Sequence, residues 1–259
     1  MTPLPRIMVA PNGARRTKAD HPALPVTIPE IVACAAPCHA AGADGLHAHV
    51  RDAEGGHVLD AGLYAELLAE LARVVPAMQV QVTTEAVGRY APDEQRRLVE
   101  TLRPPAVSIA LREIMAESDA RITARFFHFC AEVGIAVQHI LYDADEVDRL
   151  ASLVRDGTVP ADGLQLIHVL GRYTPGQVSS PADLAAPVAR LAATGLAADW
   201  AVCAFGPAET AILAEACRLG GKARIGFENN LLNADGSVAR DNAERVTELA
   251  GQVERRAPS

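Results

Sequence analysis

Two histidines separated by one small residue are the clearest chemical signal in this chain. His47 and His49 lie in the stretch Leu-His-Ala-His-Val-Arg-Asp, which has the alternation of a strand. Residues i and i+2 of a strand point to the same face, so the two imidazoles project together. Two imidazoles on one face make half of a tetrahedral metal site. The alternative interpretation is that one histidine packs in the core and the other is exposed.

A carboxylate late in the chain completes a possible ligand set. Glu228 follows a predicted strand over residues 222–227. In a closed eight-stranded barrel, strands two and eight both flank strand one, so His49 and Glu228 would lie close together. Two histidines and one glutamate form a ligand set of catalytic zinc, which leaves a position open for water or substrate. Asp52 is an alternative carboxylate, or a hydrogen-bond partner of a ligand histidine or of Arg51.

The elements that must position these residues alternate short β-branched runs with longer stretches of helical period. Strands are predicted over residues 6–10, 45–50, 78–83, 106–110, 135–141, 164–170, 199–204 and 222–227. Helices are predicted over residues 28–42, 60–74, 92–103, 118–133, 143–155, 181–194, 207–219 and 239–255. This order predicts one (β/α)₈ TIM barrel over residues 1–259, with 1–5 and 252–259 frayed. A doubly wound open sheet is the alternative, but no G-x-G-x-x-G turn follows any strand.

Composition narrows the classes of partner. The chain has 259 residues, 49% of them hydrophobic and 22% charged, as expected of one large globular domain. Its net charge of −8 disfavours nucleic-acid backbones and anionic membranes, which attract an excess of Lys and Arg. The apolar runs are shorter than the roughly 18 residues that a membrane span needs, and the first residues lack a signal-peptide pattern. Five cysteines, an odd number, favour reduced thiols. We therefore expect a cytoplasmic protein that acts on small molecules.

Three segments, taken together, resemble the beta-keto acid cleavage enzyme family. The first is Ala-Pro-Asn-Gly-Ala-Arg at residues 10–15, followed by similar residues at 17–18 and 24–27. The second, residues 41–52, resembles the family pattern A-G-A…H-x-H-x-R-D, and the third, residues 220–230, resembles G-G…R-x-G-x-E-[DN]-N. The likeness runs in matching order from near residue 7 to near residue 232, which is most of the chain.

The resemblance implies a zinc-dependent (β/α)₈ enzyme that assembles as a homotetramer. Members of the family react a β-keto acid with acetyl-CoA and release acetoacetate and the CoA thioester of the remaining acyl part. By this likeness His47, His49 and Glu228 bind the zinc. A metal that holds the keto acid would act as a Lewis acid and stabilise the enolate that attacks the thioester. The released CoA thiolate would then cleave the condensed product.

The resemblance also assigns residues around the metal. Arg224 matches the arginine that supports the catalytic residue beside the zinc. Thr83 and Ser108 match hydroxyl positions at the site that binds the acid. Thr84 can donate a similar hydrogen bond without adding charge, and Asn12 of the first segment is assigned to substrate binding with them.

Asn229 departs from the family pattern, because some members have aspartate next to the zinc glutamate. An amide cannot accept the proton as a carboxylate base does, so the base must lie elsewhere or be a metal-bound hydroxide. Glu85 is one candidate, and the alternative is that it is an exposed loop carboxylate. Asn229 can still hydrogen-bond an enolate oxygen or a zinc ligand.

Arg15 is a second departure. Members that cleave an amino-substituted keto acid carry an acidic residue near this point of the first loop, whereas Arg15 and Arg16 invert that charge. If either arginine faces the pocket, the distal end of the substrate is anionic or polar. The alternative is two solvated loop arginines. The hypothesis that follows is a β-keto acid with a second carboxylate or a neutral side chain.

Weaker signals leave other interpretations open. His139 and His168 lie on predicted strands, and His168 could approach the metal, although a packed core histidine is favoured. Arg172 and the helix start at 206–207 could meet CoA phosphates.

Two other functions compete with acyl transfer. One is a metal-dependent aldolase or hydrolase of a related keto acid, and the other is a non-catalytic barrel that binds a metal or a ligand.

Overall fold

Eight parallel strands close into a barrel in the computed structural model, which describes residues 2–116 and 119–255. Each strand pairs with the next along the chain, and β8 pairs with β1. The strands are β1 Ile7–Val9, β2 Gly45–Ala48, β3 Gln79–Thr83, β4 Ala106–Ala110, β5 Ala136–Leu141, β6 Gln165–Leu170, β7 Asp199–Ala204 and β8 Lys222–Ile225. The predicted (β/α)₈ barrel is confirmed, and the doubly wound open sheet is excluded by the closure.

Helices follow the strands and cover the barrel. They are α1 Ile28–Ala40, α2 Ala61–Val74, α3 Pro92–Leu102, α4 Leu111–Ile114, α5 Ala120–Glu132, α6 Ala144–Arg155, α7 Ala185–Thr194, α8 Glu209–Arg218 and α9 Asn242–Arg255. Short 3₁₀ turns at Pro175–Gln177 and Pro181–Leu184 precede α7. The predicted helix 181–194 therefore begins as a 3₁₀ turn. The predicted helix 118–133 begins at Ala120, because Asp119 is non-helical and caps this helix, and Ser118 lies outside the described residues.

Local sequence explains how the first helix begins. The Thr27 side chain accepts a hydrogen bond from the Glu30 backbone, and the Glu30 carboxylate accepts one from the Thr27 backbone at 3.0 Å. This capping box satisfies two backbone donors that the helix itself leaves unpaired. Pro29 lies in the first turn, where a missing backbone N–H costs nothing.

The alternation of side chains along the strands separates two packed regions. The larger one lies between strands and helices and contains outward residues such as Leu46, Val107 and Val202. A smaller apolar group lies inside the barrel. Its members are Leu4, Ala110, Ile140, Ile167, Val169, Ala201, Cys203 and Phe205. Because successive residues of a strand face opposite sides, this interior is where polar side chains of β2 to β5 must also meet.

The segment before β1 is held against the barrel. Leu4 is buried, and its backbone N–H donates to Asp199 Oδ2 at 2.8 Å. Gln165 Nε2 donates to the Thr2 carbonyl oxygen at 2.8 Å. The expected fraying of residues 1–5 and 252–259 stays a prediction, and residues 1 and 256–259 lie outside the described residues. Within the described ranges, no helix combines the length and apolar character that a bilayer span needs.

Candidate active site

The structure brings the three predicted metal ligands together at the C-terminal end of the barrel. His47 is on β2, His49 follows the end of β2, and Glu228 lies in the turn after β8. His47 Nε2 lies 3.2 Å from His49 Nε2. Glu228 Oε1 lies 3.6 Å from His49 Nε2, and Glu228 Oε2 lies 3.8 Å from His47 Nε2. A tetrahedral ion with bonds of about 2.0–2.1 Å separates its ligand atoms by about 3.3 Å. The three side chains therefore fit a divalent metal with little movement.

Glycines allow the loops around Glu228 to approach one another. Gly226 has φ +141°, and a Cβ there would lie 2.5 Å from the Ala10 carbonyl oxygen. The predicted strand 222–227 therefore ends early, at Ile225, where the chain turns at Gly226. A Cβ on Gly13 would lie 2.5 Å from Glu228 Cγ, so the loop after β1 also needs glycine to close over this side chain.

Side chains from α8 and α9 accept hydrogen bonds from the backbone of the turn after β8. The Gly226 backbone N–H donates to Glu209 Oε1 of α8 at 3.2 Å. The Phe227 backbone N–H donates to Asn242 Oδ1 of α9 at 2.9 Å, and Asn242 Nδ2 donates to the Pro11 carbonyl oxygen at 3.1 Å. The metal-ligand turn is therefore tied both to the helices and to the end of β1.

Gln81 sets the orientation of His47. His47 Nδ1 lies 2.9 Å from Gln81 Oε1, and Gln81 Nε2 donates to Gln138 Oε1 at 3.0 Å. Since the amide oxygen faces His47, the imidazole proton lies on Nδ1 and the lone pair on Nε2 faces Glu228. Burial, together with the nearby Arg224 charge, holds the pKa of His47 well below its usual value. The ring is therefore neutral, as a metal ligand must be.

His49 connects the ligand set to Glu85. Asn12 Nδ2 donates to the His49 carbonyl oxygen at 2.9 Å, which fixes the backbone at this ligand. His49 Nδ1 is buried and lies 3.8 Å from Glu85 Oε2. The other Glu85 oxygen accepts a hydrogen bond from Arg172 at 3.1 Å.

Arg224 supplies a positive charge beneath Glu228. Burial acts to raise the pKa of Glu228, but Arg224 at 4.0 Å and the two histidines outweigh it and hold this pKa well below its usual value. Arg224 NH2 donates to Cys203 Sγ at 3.5 Å. Its Nε and NH1 are buried and have no hydrogen-bond partner among the described residues. These two donors are available to an anion.

Asn229 turns towards the thiol on β7. Its Nδ2 donates to Cys203 Sγ at 2.6 Å, and its Oδ1 is buried without a hydrogen-bond partner in the described part of the chain. The structure therefore places the amide of Asn229 beside Cys203 and Arg224.

Two small cavities meet at the barrel mouth. The inner one, of about 20 Å³, adjoins the three ligands, with polar groups from Thr83, Glu85 and Arg172 and apolar walls such as Tyr142. The outer one, of about 40 Å³, is lined by Asn12, Arg15, Arg16, Glu85, Arg172 and Gln177 among others. A larger cavity of about 410 Å³ opens at the other end of the barrel, but the reacting groups of this fold lie at the C-terminal end.

The predicted hydroxyl residues separate into two orientations. Thr83 lines the inner cavity, and Ser108, its partner in the register of β3 and β4, has a buried hydroxyl without a partner among the described residues. Thr84 instead donates its hydroxyl hydrogen bond to the Ser108 carbonyl oxygen at 3.1 Å. The structure thus brings Thr83 and Ser108 to the barrel interior and uses the Thr84 hydroxyl on the backbone of β4.

The other loop residues also have defined partners. Arg16 donates to the Phe227 and Asn229 carbonyl oxygens at 2.6 and 3.3 Å, whereas Arg15 is exposed at the outer cavity. Asp52 accepts a hydrogen bond from the Gly56 backbone at 2.6 Å, so this carboxylate caps a turn and does not join the ligand set.

The two strand histidines pack in the core, away from the metal ligands. His139 lies 5.0 Å from the Phe127 ring and His168 6.1 Å from the Trp200 ring, both measured between centroids. Burial lowers the pKa of each histidine to about 4, so both are neutral. The favoured interpretation of His168 as a core histidine agrees with this position.

Three residues of the site were missed by the sequence analysis. Gln81 precedes Thr83 by two positions on β3, so the alternation of the strand contained a signal for it. Tyr142, which lines the inner cavity, and Cys203, which contacts Asn229, carried no signal, because their roles depend on contacts between distant strands.

The sequence matches one protein family over nearly its whole length. The model of the family described as "beta-keto acid cleavage enzyme" matches residues 6–257. The 3-keto-5-aminohexanoate cleavage enzyme of Fusobacterium nucleatum is 27% identical over 258 residues, which cover 96% of this chain and 92% of that protein. The 3-oxoadipate:acetyl-CoA acetyltransferase of Cupriavidus necator is 24% identical over 257 residues, which cover 96% and 88%.

Solved structures show the same fold at lower identity. The apo structure of ObcA superposes with a TM-score of 0.74 at 18% identity, over 92% of this chain and 63% of the ObcA chain. This chain therefore spans less than two thirds of the length of ObcA. Type I 3-dehydroquinate dehydratase from Clostridium difficile superposes with a TM-score of 0.63 at 12% identity, over 98% of this chain and 92% of the other. The family match also confirms the prediction of an enzyme that cleaves β-keto acids, and the chain belongs to the beta-keto acid cleavage enzyme family.

Proposed function

We propose that this protein is a zinc-dependent enzyme that condenses a β-keto acid with acetyl-CoA and releases acetoacetate and a new acyl-CoA. The observation that carries the proposal is the cluster of His47, His49 and Glu228 beneath a cavity with a buried arginine, in a member of this family. The name of the Cupriavidus necator relative, which includes acetyl-CoA, supports the co-substrate.

The ligand set suits a catalytic ion. Two histidines and one glutamate leave coordination positions open, and zinc is favoured over other divalent metals by the family likeness. An ion held here would polarise the keto acid and stabilise the negative charge that develops when its α-proton leaves.

Thr83 and Arg224 are the residues that we propose bind the anionic part of the substrate. Thr83 Oγ1 accepts a hydrogen bond from the Glu85 backbone N–H at 3.1 Å, which leaves its own proton free to donate to a carboxylate. Arg224 contributes a permanent charge and two unpartnered donors next to Glu228. Preorganised donors of this kind stabilise developing negative charge strongly, because the site excludes water. Ser108 pairs with Thr83 in the strand register, and its buried hydroxyl has no hydrogen-bond partner among the described residues, so we propose it as a further donor.

Glu85 is the proposed proton acceptor. It lines the inner cavity, and its Oε2 lies 3.8 Å from His49 Nδ1. Asn229 has no lone pair basic enough to take the α-proton, and its amide hydrogens already face Cys203. We therefore assign Asn229 Oδ1 and Arg224 to substrate binding and to the stabilisation of negative charge. Glu85 supplies the carboxylate that accepts the α-proton.

The bonds that change define the reaction. The α-carbon of the keto acid loses a proton and bonds to the acetyl carbonyl carbon, and the CoA thiolate leaves. The thiolate then adds to the former keto carbon, and the bond between this carbon and the α-carbon breaks. The α-carbon takes up a proton in place of this bond and departs with its carboxylate within acetoacetate, and the remaining carbons leave as the CoA thioester. We also propose a homotetramer, from the family likeness, and a cytoplasmic location, from the composition of the sequence.

The test is to incubate the purified protein with a series of β-keto acids, with and without acetyl-CoA. We expect acetoacetate and a new CoA thioester in equal amounts, and no product without acetyl-CoA. An aldolase or hydrolase would form product without acetyl-CoA, and a binding protein would form none. In the His49→Ala variant we expect a retained fold and a complete loss of turnover.

A further inference from the structure

An ion pair lies across the barrel mouth between the two small cavities. Arg172 NH2 is 3.1 Å from Glu85 Oε1, and the two side chains are 13% and 18% exposed. Glu85 follows β3 and Arg172 follows β6, so the pair joins loops from well-separated parts of the barrel. Both residues line the inner and the outer cavity. The pair therefore lies between the two cavities, and the metal ligand Glu228 borders both of them.

The cavities on either side of the pair are too small for a substrate. Their volumes of about 20 and 40 Å³ hold a few water molecules, whereas binding sites for small organic molecules have about 300–1,000 Å³. A β-keto acid can therefore occupy this region only if side chains around the two cavities move. Glu85 and Arg172 line both cavities, so their ion pair is a contact that such a movement would open.

Aromatic rings and a hydrogen bond within its loop hold Arg172 in place. Its guanidinium carbon lies 5.5 Å from the centroid of the Phe205 ring and 5.9 Å from that of Tyr173. Its carbonyl oxygen accepts a hydrogen bond from Gln177 at 3.2 Å, which fixes the loop after β6. A guanidinium stacked on aromatic rings presents a planar fork that suits a carboxylate. Glu85 accepts one hydrogen bond from this guanidinium, at 3.1 Å.

The charges around the pair favour an anion over a cation. Arg15 and Arg16 line the outer cavity with Arg172, while its carboxylates are Glu85 and Glu228. Glu228 is assigned to the metal, which adds further positive charge when bound. A substrate ammonium at this point would face three guanidinium groups, which would repel it. A substrate carboxylate has the same charge as the Glu85 side chain and could take its place beside Arg172.

We propose that Arg172 binds a distal carboxylate of the substrate, which displaces Glu85, so that the enzyme selects dicarboxylic β-keto acids. The inference rests on the proposed function and names its substrate class. Glu85 contacts both Arg172 and the metal ligand His49, and Arg172 lines the inner cavity together with the three ligands. A short chain of carbons beyond the keto group is therefore enough to reach from the ligand set to Arg172.

The test measures equilibrium binding to the metal-loaded protein by calorimetry, without acetyl-CoA so that no turnover occurs. Three six-carbon probes differ only at the distal end: 3-oxoadipate carries a carboxylate, 3-oxohexanoate is neutral, and 3-keto-5-aminohexanoate carries an ammonium. We expect 3-oxoadipate to bind most tightly. In Arg172→Gln its affinity should fall by about 10- to 100-fold, with little change for 3-oxohexanoate, because a charge-assisted hydrogen bond is lost. In Glu85→Gln, the affinity for 3-oxoadipate should rise, because the internal competitor is gone.

Two further variants separate recognition from folding. Arg172→Lys keeps the charge but loses the fork, so its affinity for 3-oxoadipate should lie between those of the wild type and Arg172→Gln. Arg112→Gln is the matched control. Like Arg172, Arg112 stacks on Tyr173, and it also stacks on Tyr142. Its ion pairs, however, are with Glu146 and Asp143 and not with Glu85. This control should bind all three probes as the wild type does.

Two results would overturn the inference. One is an equal loss of affinity for all three probes in Arg172→Gln, and the other is a preference of the wild type for the ammonium probe. Failure of the proposed function looks different, because then none of the three acids gives acetoacetate with acetyl-CoA, whatever the order of their affinities.

Discussion

At the scale of single residues, the contact between His47 and Gln81 determines which imidazole nitrogen is free. Gln81 and Gln138 form a hydrogen-bonded chain inside the barrel that holds the proton on His47 Nδ1. The lone pair of Nε2 then faces Glu228, 3.8 Å away. The affinity of the proposed metal site therefore depends on Gln81, a residue that does not touch the ion.

Replacing Gln81 by leucine tests this dependence. The variant removes the acceptor for His47 Nδ1 while it fills a similar volume, so the ring loses its fixed tautomer and orientation. We expect metal affinity to fall by about 10- to 100-fold, as measured by competition with a chelator of known affinity.

The matched control for this prediction is Gln79→Leu. Gln79 lies on the same strand and its side chain is exposed, so the change leaves the hydrogen bond to His47 intact. Equal metal affinities of the two variants, with both folded by circular dichroism, would show that Gln81 has no such role.

At the scale of elements, the turn after β8 is the part of the chain on which the site depends most. It is held by β1 through Ala10, by α8 through Glu209 and by α9 through Asn242. Glu209 also forms a fully buried ion pair with Arg245 of α9, at 3.0 Å. The last helices thus fix the position of Glu228 without contacting it.

Gly226→Ala should disrupt both stability and metal binding. The new Cβ would lie 2.5 Å from the Ala10 carbonyl oxygen, which is backbone and cannot move aside alone. A φ of +141° is also costly for any residue with a Cβ, by roughly 1–3 kcal/mol. We expect a lower free energy of unfolding in urea, by at least this amount, and loss of the metal from the folded variant.

Gly220→Ala provides the comparison at the other end of β8. Gly220 has φ +88°, and a Cβ there would meet nothing within 4 Å. This variant should lose stability only through its backbone conformation and should keep its metal. If both variants retained metal equally, the close approach of Gly226 to β1 would not be needed for the site.

At the scale of the whole molecule, much of the architecture could be predicted because it follows from periodicity. Alternating apolar runs and helical stretches predicted the barrel, and closure then placed the ends of β2 and β8 beside β1. His47 and His49 were predictable because two positions along a strand return to the same face. Glu228 was predictable only once the barrel was assumed.

Contacts between distant loops could not be predicted in the same way. Thr84 was expected at the substrate, but β3 ends at Thr83 and the hydroxyl of Thr84 bonds to the backbone of β4. The pairing of Glu85 with Arg172 depends on two loops that are 87 positions apart in the chain. Likewise, the contact of Asn229 with Cys203 arises from how β7 and the turn after β8 face each other.

The measurement that tests the central claim most directly is acetoacetate formation as a function of metal bound per chain. Metal would be removed with a chelator and zinc added back in steps, with a β-keto acid and acetyl-CoA present. We predict that turnover rises in proportion to bound zinc, reaches its maximum at one ion per chain, and requires acetyl-CoA throughout. Full activity of the metal-free protein, or acetoacetate formed without acetyl-CoA, would contradict this account.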